Sequence, residues 1–590
     1  MSQGMFSFHY KFYIKKIRSE IQLSFPDDTT ASGNLNTSCS AGDPLALDVM
    51  RNIIDRDIAR LEESIRVLKS RRNELSPISR LPAEILCNIF SFAEVLSQTW
   101  SPESWTNFSQ VSQHWRSLAL RAPELWTKIP LTYPRWAQEM LIRSKKAKLT
   151  IRSDNSSSLK AIQTLRLCLY EMNRIEEINL TAIPGSLLEE IFWDLPKHAP
   201  QLHTLRIESP PLSEAFPIFE NFLYDTKRLR RVELSNCKIS WDSRLLTGLT
   251  RLTLIGPLNA NSSIIKFLHA LQQMPALTHL YLEDSIPDYI EGPSYPVVNL
   301  PCIQTLSISS GVGPLTGVLR HITIPHTTIF RLTCKENQST QIDFSNFLSV
   351  LATKFLSSFV IRSLSLRVRN DEMTQTHGLE FDLWTAPSLI YLFLTWPSSQ
   401  PHNHENALTC AFNALSLLSL IQLQISTEDH IDSWTWVKTF GKLPLLKKVW
   451  VQSYSPRPFL EALVYKRKAA EKSKTAYHTV SFPNLRYIHL EGIDFDATDP
   501  TSISMLIDCL MERYERKAEV EVLHLEDCYY ISSEDVERFK EIVVDVIWDG
   551  VEQELSGEDS EEDSEEDSEG YHSPVDDSDD DDSSSSVELW

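Results

Sequence analysis

A six-residue pattern recurs along most of this chain and limits its possible folds more than any other feature. The pattern is L-x-x-L-x-L, with Ile, Val or Cys allowed at the apolar positions, as in LHTLRI (202–207) and LRYIHL (485–490). Its central apolar residue falls at positions 178, 205, 232, 252, 280, 306, 332, 364, 392, 423, 449, 488 and 523. Alternation of apolar and polar residues is typical of a half-buried β-strand, so each match predicts one strand.

The spacing of these matches predicts a repeat protein. Most of the steps lie near 26–28 residues, close to the period of leucine-rich repeats. A proline, which suits the entry to an extended segment, precedes six of the matches by two residues: Pro200, Pro275, Pro301, Pro387, Pro444 and Pro483. Helical patterns such as SSIIKFLHALQQM (262–274) lie between matches. We therefore expect an α/β horseshoe with a parallel inner sheet over residues 133–548; the short alternating strands argue against all-helical HEAT or TPR arrays.

Residues 43–76 carry a different periodicity, which predicts one long amphipathic helix. Asp43-Pro44 suits its N-cap and first turn. One series is spaced by seven and a second follows it by four: Leu47, Ile54, Leu61, Leu68 and Leu75, then Ile58 and Ile65. With the first series at d and the second at a, the pattern favours a two-stranded coiled coil, although Arg51 and Arg72 occupy the other a positions. Either a homodimer forms through residues 47–75 or the helix packs on its own neighbouring domain.

The net charge of -22 is concentrated at one end of the chain. From Glu541 to Trp590 there is no Lys or Arg and there are 21 Asp or Glu, which leaves 58 acidic and 57 basic side chains in residues 1–540. A neutral body gives no reason to expect nucleic-acid binding. Residues 549–590 are predicted to be a disordered acidic tail, and residues 1–42 a disordered N-terminus.

The cysteines and the hydropathy predict an intracellular protein. The nine Cys residues include no C-x-x-C pair, which argues against a disulfide framework or a zinc site and for buried thiols in a reducing compartment. The sequence contains no run of 18 apolar residues, so no membrane span is predicted. We expect a cytoplasmic or nuclear location.

The stretch SRLPAEILCNIFSFA (79–93) predicts a short helix that needs a packing partner. In this stretch Leu81-Pro82 is followed by apolar residues at helical spacing, and WTNFSQVSQHWRSLALRAPELW (105–126) repeats that spacing. Together, L-P-x-E-I-L-x-x-I-F and V-S-x-x-W-R-x-L-A with the trailing P-E-L-W resemble an F-box, over about residues 77–132. The resemblance is to the F-box-like proteins that are greatly expanded in fungi, and the following repeats resemble those of the F-box/leucine-rich-repeat class. It implies a short all-α domain of three helices.

The resemblance also implies a partner. In that family the helices complete their core on a small Skp-type adaptor subunit of a cullin–RING ubiquitin ligase. Carried over to this chain, the adaptor contact would be lined by Leu81, Pro82, Ile85, Ile89, Phe90, Val111 and Trp115. The alternative is that these residues form an internal core with the first repeats.

Motifs for an enzyme are absent from the sequence. There is no G-x-x-x-x-G-K-[ST], no G-x-S-x-G and no H-E-x-x-H, and we expect no catalytic residue, metal or cofactor. The predicted function is therefore the substrate-recognition subunit of an SCF-type ubiquitin ligase, which holds a protein substrate near a catalytic module. The alternative is a non-degradative leucine-rich-repeat scaffold.

Side-chain alternation predicts which residues face the substrate. The candidates on the inner sheet are Tyr281, Tyr391, Phe393, Trp450 and Tyr487, with a series of arginines at 206, 231, 251, 331 and 367. In the tail, four serines have an acidic residue three positions on, a pattern preferred by acidophilic kinases: Ser556, Ser560, Ser564 and Ser578. These are candidate phosphorylation sites.

Overall fold

A computed structural model describes residues 44–96, 108–153, 158–219, 222–256, 263–290, 295–336, 344–357, 359–371, 373–385, 389–397, 404–427, 431–465, 480–495 and 502–552. The chain forms two compact units. The first contains the long N-terminal helix and the short helices up to Leu120, and the second contains the residues from Arg121 onward.

The second unit is organised around one sheet of 17 strands. Its strands are β1 (Lys128–Pro130), β2 (Leu149–Arg152), β3 (Ile175–Thr181), β4 (Thr204–Glu208), β6 (Arg231–Ser235), β8 (Arg251–Ile255), β9 (His279–Glu283), β11 (Thr305–Gly311), β13 (Ile329–Lys335), β14 (Ile361–Asp371), β15 (Thr376–Thr385), β16 (Leu389–Pro397), β17 (Gln422–Thr427), β18 (Lys448–Ser453), β19 (Tyr487–Glu491), β20 (Val522–Glu526) and β21 (Asp545–Trp548). Two short parallel pairs lie outside it, namely β5 (Phe216–Pro217) with β7 (Cys237–Lys238) and β10 (Val298–Asn299) with β12 (Ile322–Thr323).

The first three helices precede β1, and the others lie between strands along the chain. The helices are α1 (Pro44–Glu74), α2 (Ala83–Leu96), α3 (Gln113–Arg121), α4 (Pro134–Arg143), α5 (Leu159–Leu169), α6 (Gly185–Trp193), α7 (Ile264–Gln272), α8 (Val312–His321), α9 (Ser345–Leu351), α10 (His404–Ala414), α11 (Ser433–Thr439), α12 (Arg457–Leu463), α13 (Ser502–Glu515) and α14 (Ser533–Lys540). Several helices bury large apolar side chains on one face, as α7 does with Phe267 and Leu268. A helical layer thus covers the apolar face of the sheet.

All thirteen central positions of the repeat pattern lie in strands, and the pairing keeps them in register. Leu205 pairs with Val232, Val232 with Leu252 and Leu252 with Leu280. These four residues are fully or almost fully buried. The residues directly before and after each of them in its strand are half-buried or exposed. The strands therefore have an apolar face toward the helices and a polar face, as the alternation of the sequence requires. The predicted fold class is confirmed.

One part of the sheet departs from the expected succession of parallel strands. β13 pairs with β16, not with β14, and β14 pairs with β17. Between β16 and β14 lies β15, antiparallel to both. The matches at 364 and 392 thus stand in reversed spatial order, and a strand without the repeat pattern separates them. A hairpin joins β14 to β15 and makes them antiparallel. In its turn, the Asp371 carboxylate accepts hydrogen bonds from the backbone N–H groups of Met373 and Thr374 at 2.9 and 3.1 Å.

Left-handed residues end several strands and extend the hydrogen-bonded ladder. Asn236, Asp284 and Asp527 have φ between 48° and 49°, and each follows directly on a strand. Asn and Asp are the non-glycine residues that tolerate this conformation best. The turn directs the backbone N–H of Asn236 to Ile255 O at 2.9 Å and that of Asp284 to Ser309 O at 2.9 Å. This device holds each repeat to the next one.

Buried thiols contribute to the core. Cys168, Cys237, Cys334, Cys509 and Cys528 are buried and unpaired. Burial raises the pKa of Cys168, Cys237, Cys509 and Cys528 to about 12, so these side chains are neutral apolar groups. Among the described residues, no helix combines the length and apolar character that crossing a membrane requires.

Candidate functional site

The first candidate surface lies on the helices α2 and α3 and on the residues directly before each of them. Pro82 starts α2 because its carbonyl accepts the backbone N–H bonds of Ile85 and Leu86 at 3.0 and 3.1 Å, and Glu84 lies in the first turn, where a negative charge is favourable. Before α3, the Ser112 hydroxyl accepts the Trp115 backbone N–H at 3.2 Å. Local sequence therefore defines where both helices begin.

The interior of this helical region is built around one aromatic ring. Phe90 is fully buried, as is Leu86. The Phe90 ring stacks on Phe108 with centroids 5.1 Å apart and lies 5.0 Å from the ring of Trp115. Phe90 is therefore an internal residue, and Trp115, which is half-buried, supports it from one side.

The other residues assigned to the adaptor contact reach the surface to different degrees. Leu81 and Ile89 are half-buried and Pro82 is exposed, while Ile85 and Val111 are 45% and 54% exposed. The structure adds two exposed apolar residues that the motif did not indicate, Phe92 and Leu120. Helical spacing predicts an apolar stripe, but it does not show which members of that stripe lie inside.

The second candidate surface is the polar face of the sheet. All five aromatic candidates lie on it: Tyr281, Tyr391, Phe393, Trp450 and Tyr487 alternate with buried apolar residues. The guanidinium of Arg331 lies over the Tyr391 ring, 4.8 Å from its centroid. Phe393 packs where Gly378 of β15 leaves space, since a Cβ at Gly378 would come 2.5 Å from its ring.

The arginines of this face are mostly compensated by carboxylates. Arg206 lies 3.1 Å from Glu208, and Arg231 lies 2.5 Å from Glu233. Arg367 bridges β14 and β15 by contacting Glu380 at 3.2 Å and Asp382 at 3.1 Å. Three of the five arginines in the series, Arg206, Arg231 and Arg367, therefore lie beside carboxylates of the same face.

A stacked column of rings crosses three neighbouring strands on the same face. Trp450, His489 and His524 occupy matching positions of β18, β19 and β20. The ring centroids of Trp450 and His489 are 4.3 Å apart, and those of His489 and His524 are 4.0 Å apart. The repeat pattern did not single out the two histidines, although the segments YIHLE (487–491) and VLHLE (522–526) place His identically in consecutive repeats.

Polar contacts hold this column in place. Trp450 Nε1 donates to Glu491 Oε2 at 2.7 Å, and the Tyr487 hydroxyl lies 3.1 Å from His524 Nδ1. His489 is 4% exposed, and its Nε2 is 3.0 Å from Glu526 Oε2. Burial and, secondarily, the charge of His524 lower the pKa of His489, while Glu526 partly opposes them.

The column suits stacking better than metal binding. His489, His524 and Glu526 each offer one ligand atom, and these atoms lie within 4.8 Å of one another. An imidazole nitrogen binds a metal in the plane of its ring, where its lone pair points. The two imidazole rings lie face to face with only 16° between their planes, so an ion between them would meet ring faces. We assign no metal to this cluster.

The lowered pKa of His489 predicts a pH-dependent stability. Between the folded pKa and the ordinary value of 6.5, the unfolded chain binds a proton that the folded chain does not, so stability falls as pH drops below about 6.5. We expect the urea midpoint of wild type to fall between about pH 7.5 and about pH 5.5. His489→Gln should show a smaller fall over the same range. Exposed His269→Gln is the control; a His489→Gln midpoint as pH-sensitive as that of wild type would contradict this role.

The helical region matches a model of a known protein family. The F-box-like family model matches residues 78–132, which include α2, α3 and the following 3₁₀ turn Pro123–Trp126. A search of the curated proteins found no match. The chain therefore carries an F-box-like domain at residues 78–132, followed by a long, mostly parallel sheet that alternates with helices and is consistent with leucine-rich repeats.

Proposed function

We propose that this chain is the substrate-recognition subunit of an SCF-type cullin–RING ubiquitin ligase. The observation that carries the proposal is the F-box-like domain at residues 78–132, whose helices leave Ile85 and Val111 about half exposed. In the F-box family, a Skp-type adaptor binds the corresponding surface. Burying these side chains would contribute roughly 25 cal/mol per Å² of apolar area.

The chain would act by proximity rather than by chemistry. F-box proteins are typically non-catalytic adaptors, and we propose that the repeats bind a protein substrate while the F-box-like domain binds the ligase. Holding both in one complex raises the effective concentration of substrate at the catalytic module. The buried thiols and the absence of C-x-x-C pairs support a cytoplasmic or nuclear location.

Reconstitution tests this proposal against the alternative of a non-degradative scaffold. The full chain is mixed with a Skp-type adaptor, a cullin, a RING subunit and ubiquitin-charged conjugating enzyme, together with proteins that copurify with the chain. The ligase proposal requires a stable adaptor complex and ubiquitin transfer to a copurifying protein. Adaptor binding without transfer would support the scaffold, and absence of adaptor binding would overturn the proposal.

We further propose that the aromatic residues of the polar face contact the substrate. Aromatic side chains with polar tips are common anchors at protein interfaces, and Tyr391 and Trp450 are half-buried in the free chain. Tyr391→Ala with Trp450→Ala should lower the recovery of copurifying substrates about tenfold, since one interface anchor is worth at least about 1.4 kcal/mol. Quantitative mass spectrometry of proteins retained by the full chain and its adaptor measures this loss.

The matched control removes the same residue types from another surface. Tyr170 and Trp193 are 58% and 68% exposed and lie in the helical segments rather than on the sheet. Tyr170→Ala with Trp193→Ala should leave substrate recovery unchanged. If both double variants recover the same amount of substrate, the polar face is not the substrate site.

The phosphorylation proposal concerns the acidic tail. Ser556, Ser560, Ser564 and Ser578 lie outside the described residues, and their candidate role rests on the acidic sequence around them. Phosphate on each would add a charge of about -1.5 to -2.

A further inference from the structure

The long helix α1 carries an apolar stripe that is open to solvent. Ile54, Ile58, Leu61, Ile65 and Leu68 occupy its a and d positions and are 48–64% exposed. No other described helix leaves so many aliphatic residues of one stripe exposed. A stripe of this kind on a helix of 31 residues is typical of a surface that another helix covers.

We propose that a second copy of this chain covers the stripe, and that the two α1 helices pair as an antiparallel coiled coil. This pairing uses residues 47–75 and does not involve the adaptor contact on α2 and α3, so it is independent of the proposed ligase function. The direction of pairing follows from the charged residues within and beside the stripe.

The core of the coiled coil favours the antiparallel direction. In a parallel dimer, equal positions meet across the axis, so Arg51 would face Arg51 and Arg72 would face Arg72. In an antiparallel dimer, a positions meet d positions, and the central layers join Ile54 to Ile65 and Ile58 to Leu61. Arg51 then meets Leu68 of the second copy, where its aliphatic stem covers the leucine and its charged head reaches water.

The residues that flank the core give the same direction. Parallel helices bring g positions beside e positions, which places Asp57 near Glu62 and creates no opposite-charge pair. Antiparallel helices bring e beside e, which places Asp48 near Lys69 twice in the dimer. Asp55 and Glu62 also approach one another twice in that arrangement. The two Asp48–Lys69 pairs offset this repulsion, whereas a parallel dimer has no attractive pair to offset the repulsion between Asp57 and Glu62. Only the antiparallel dimer therefore contains attractive pairs between the helices.

The direction decides where the two F-box-like domains would lie. A 31-residue helix is about 46 Å long at 1.5 Å per residue, and the matched domain begins at residue 78, close to its C-terminal end. Parallel pairing would place the two domains side by side. Antiparallel pairing places them at opposite ends of the coiled coil, where each has room for its own partner.

A charge-exchange cycle in the full chain tests both parts of this proposal. Sedimentation equilibrium measures the dimer dissociation constant of wild type, Asp48→Lys, Lys69→Asp and the double variant. We expect each single variant to weaken the dimer about five- to thirtyfold, and the double variant to return close to wild type. Asp48 also forms a pair with Arg51 of its own helix at 3.4 Å; the cycle cancels the loss of this pair, because it occurs in Asp48→Lys and in the double variant alike.

Two results would overturn the proposal, and they are distinct. A wild-type chain that stays monomeric up to about 0.1 mM would remove the dimer altogether. A dimer in which the effects of Asp48→Lys and Lys69→Asp simply add would remove the antiparallel direction, since positions 48 and 69 are far apart in a parallel dimer. Ile58→Asp with Ile65→Asp is the matched disruption of the stripe and should give a monomer that still binds the Skp-type adaptor.

Discussion

Ile85→Asp combined with Val111→Asp is expected to reduce the affinity of the full chain for a Skp-type adaptor at least about 100-fold. Each replacement places a carboxylate in an interface that the proposal requires to be apolar, and losing a buried interface anchor costs about 2 kcal/mol or more. Both side chains are about half exposed in the free chain, so the change should leave the fold intact. Calorimetric titration with purified adaptor measures the loss.

The controls separate a lost contact from a damaged domain. Leu159 is 71% exposed at the first residue of α5, where a carboxylate is tolerated, and Leu159→Asp should bind the adaptor as wild type does. Trp115→Ala is a poorer test, because the Trp115 ring supports Phe90 inside the domain. Normal adaptor affinity of the Ile85→Asp, Val111→Asp chain would reject the docking surface.

Gly185→Ala is expected to have the largest effect on stability, a loss of about 3 kcal/mol or more. A Cβ at Gly185 would overlap the carbonyl oxygen of Glu214 and come 2.8 Å from the amide nitrogen of Phe216. Both are backbone atoms of a segment that cannot easily move, because Phe216 is fully buried and its ring packs 5.5 Å from that of Phe222. Space for the methyl group would require a shift of the whole segment.

Gly313→Ala is the matched control for this prediction. Gly313 also lies in a helix, α8, but a Cβ there meets no heavy atom within 4 Å apart from its chain neighbours and the helix backbone. Pro314 follows directly and disfavours the helical conformation of a non-glycine residue before it, which opposes the gain in helix propensity. Gly313→Ala should therefore change stability by less than about 1 kcal/mol. Urea midpoints of the full chains, followed by tryptophan fluorescence, compare the two. A Gly185→Ala midpoint at or above wild type would show that the close approach is not limiting.

The candidate site divides into a part that periodicity predicts and a part that it does not. The motif identified the residues of the F-box-like helices, but burial separates Phe90, which is inside, from Ile85 and Val111, which are outside. On the sheet, alternation placed Trp450 on the polar face, whereas its stacking on His489 depends on strand pairing. Residues 450 and 489 are far apart in sequence, so only the register of β18 and β19 brings them together.

The sequence by itself determined the repeat strands, because the two-residue period of a strand and the buried leucines leave little choice of register. It also determined the family of the helical domain and the stripe of α1. Only the tertiary structure decided the order β13–β16–β15–β14–β17. In β15 the core residues Leu379, Phe381 and Leu383 alternate without the repeat spacing, and alternation alone carries no direction. The direction of β15 depends on the hairpin after Asp371 and on pairing with strands distant in sequence, which local periodicity does not encode.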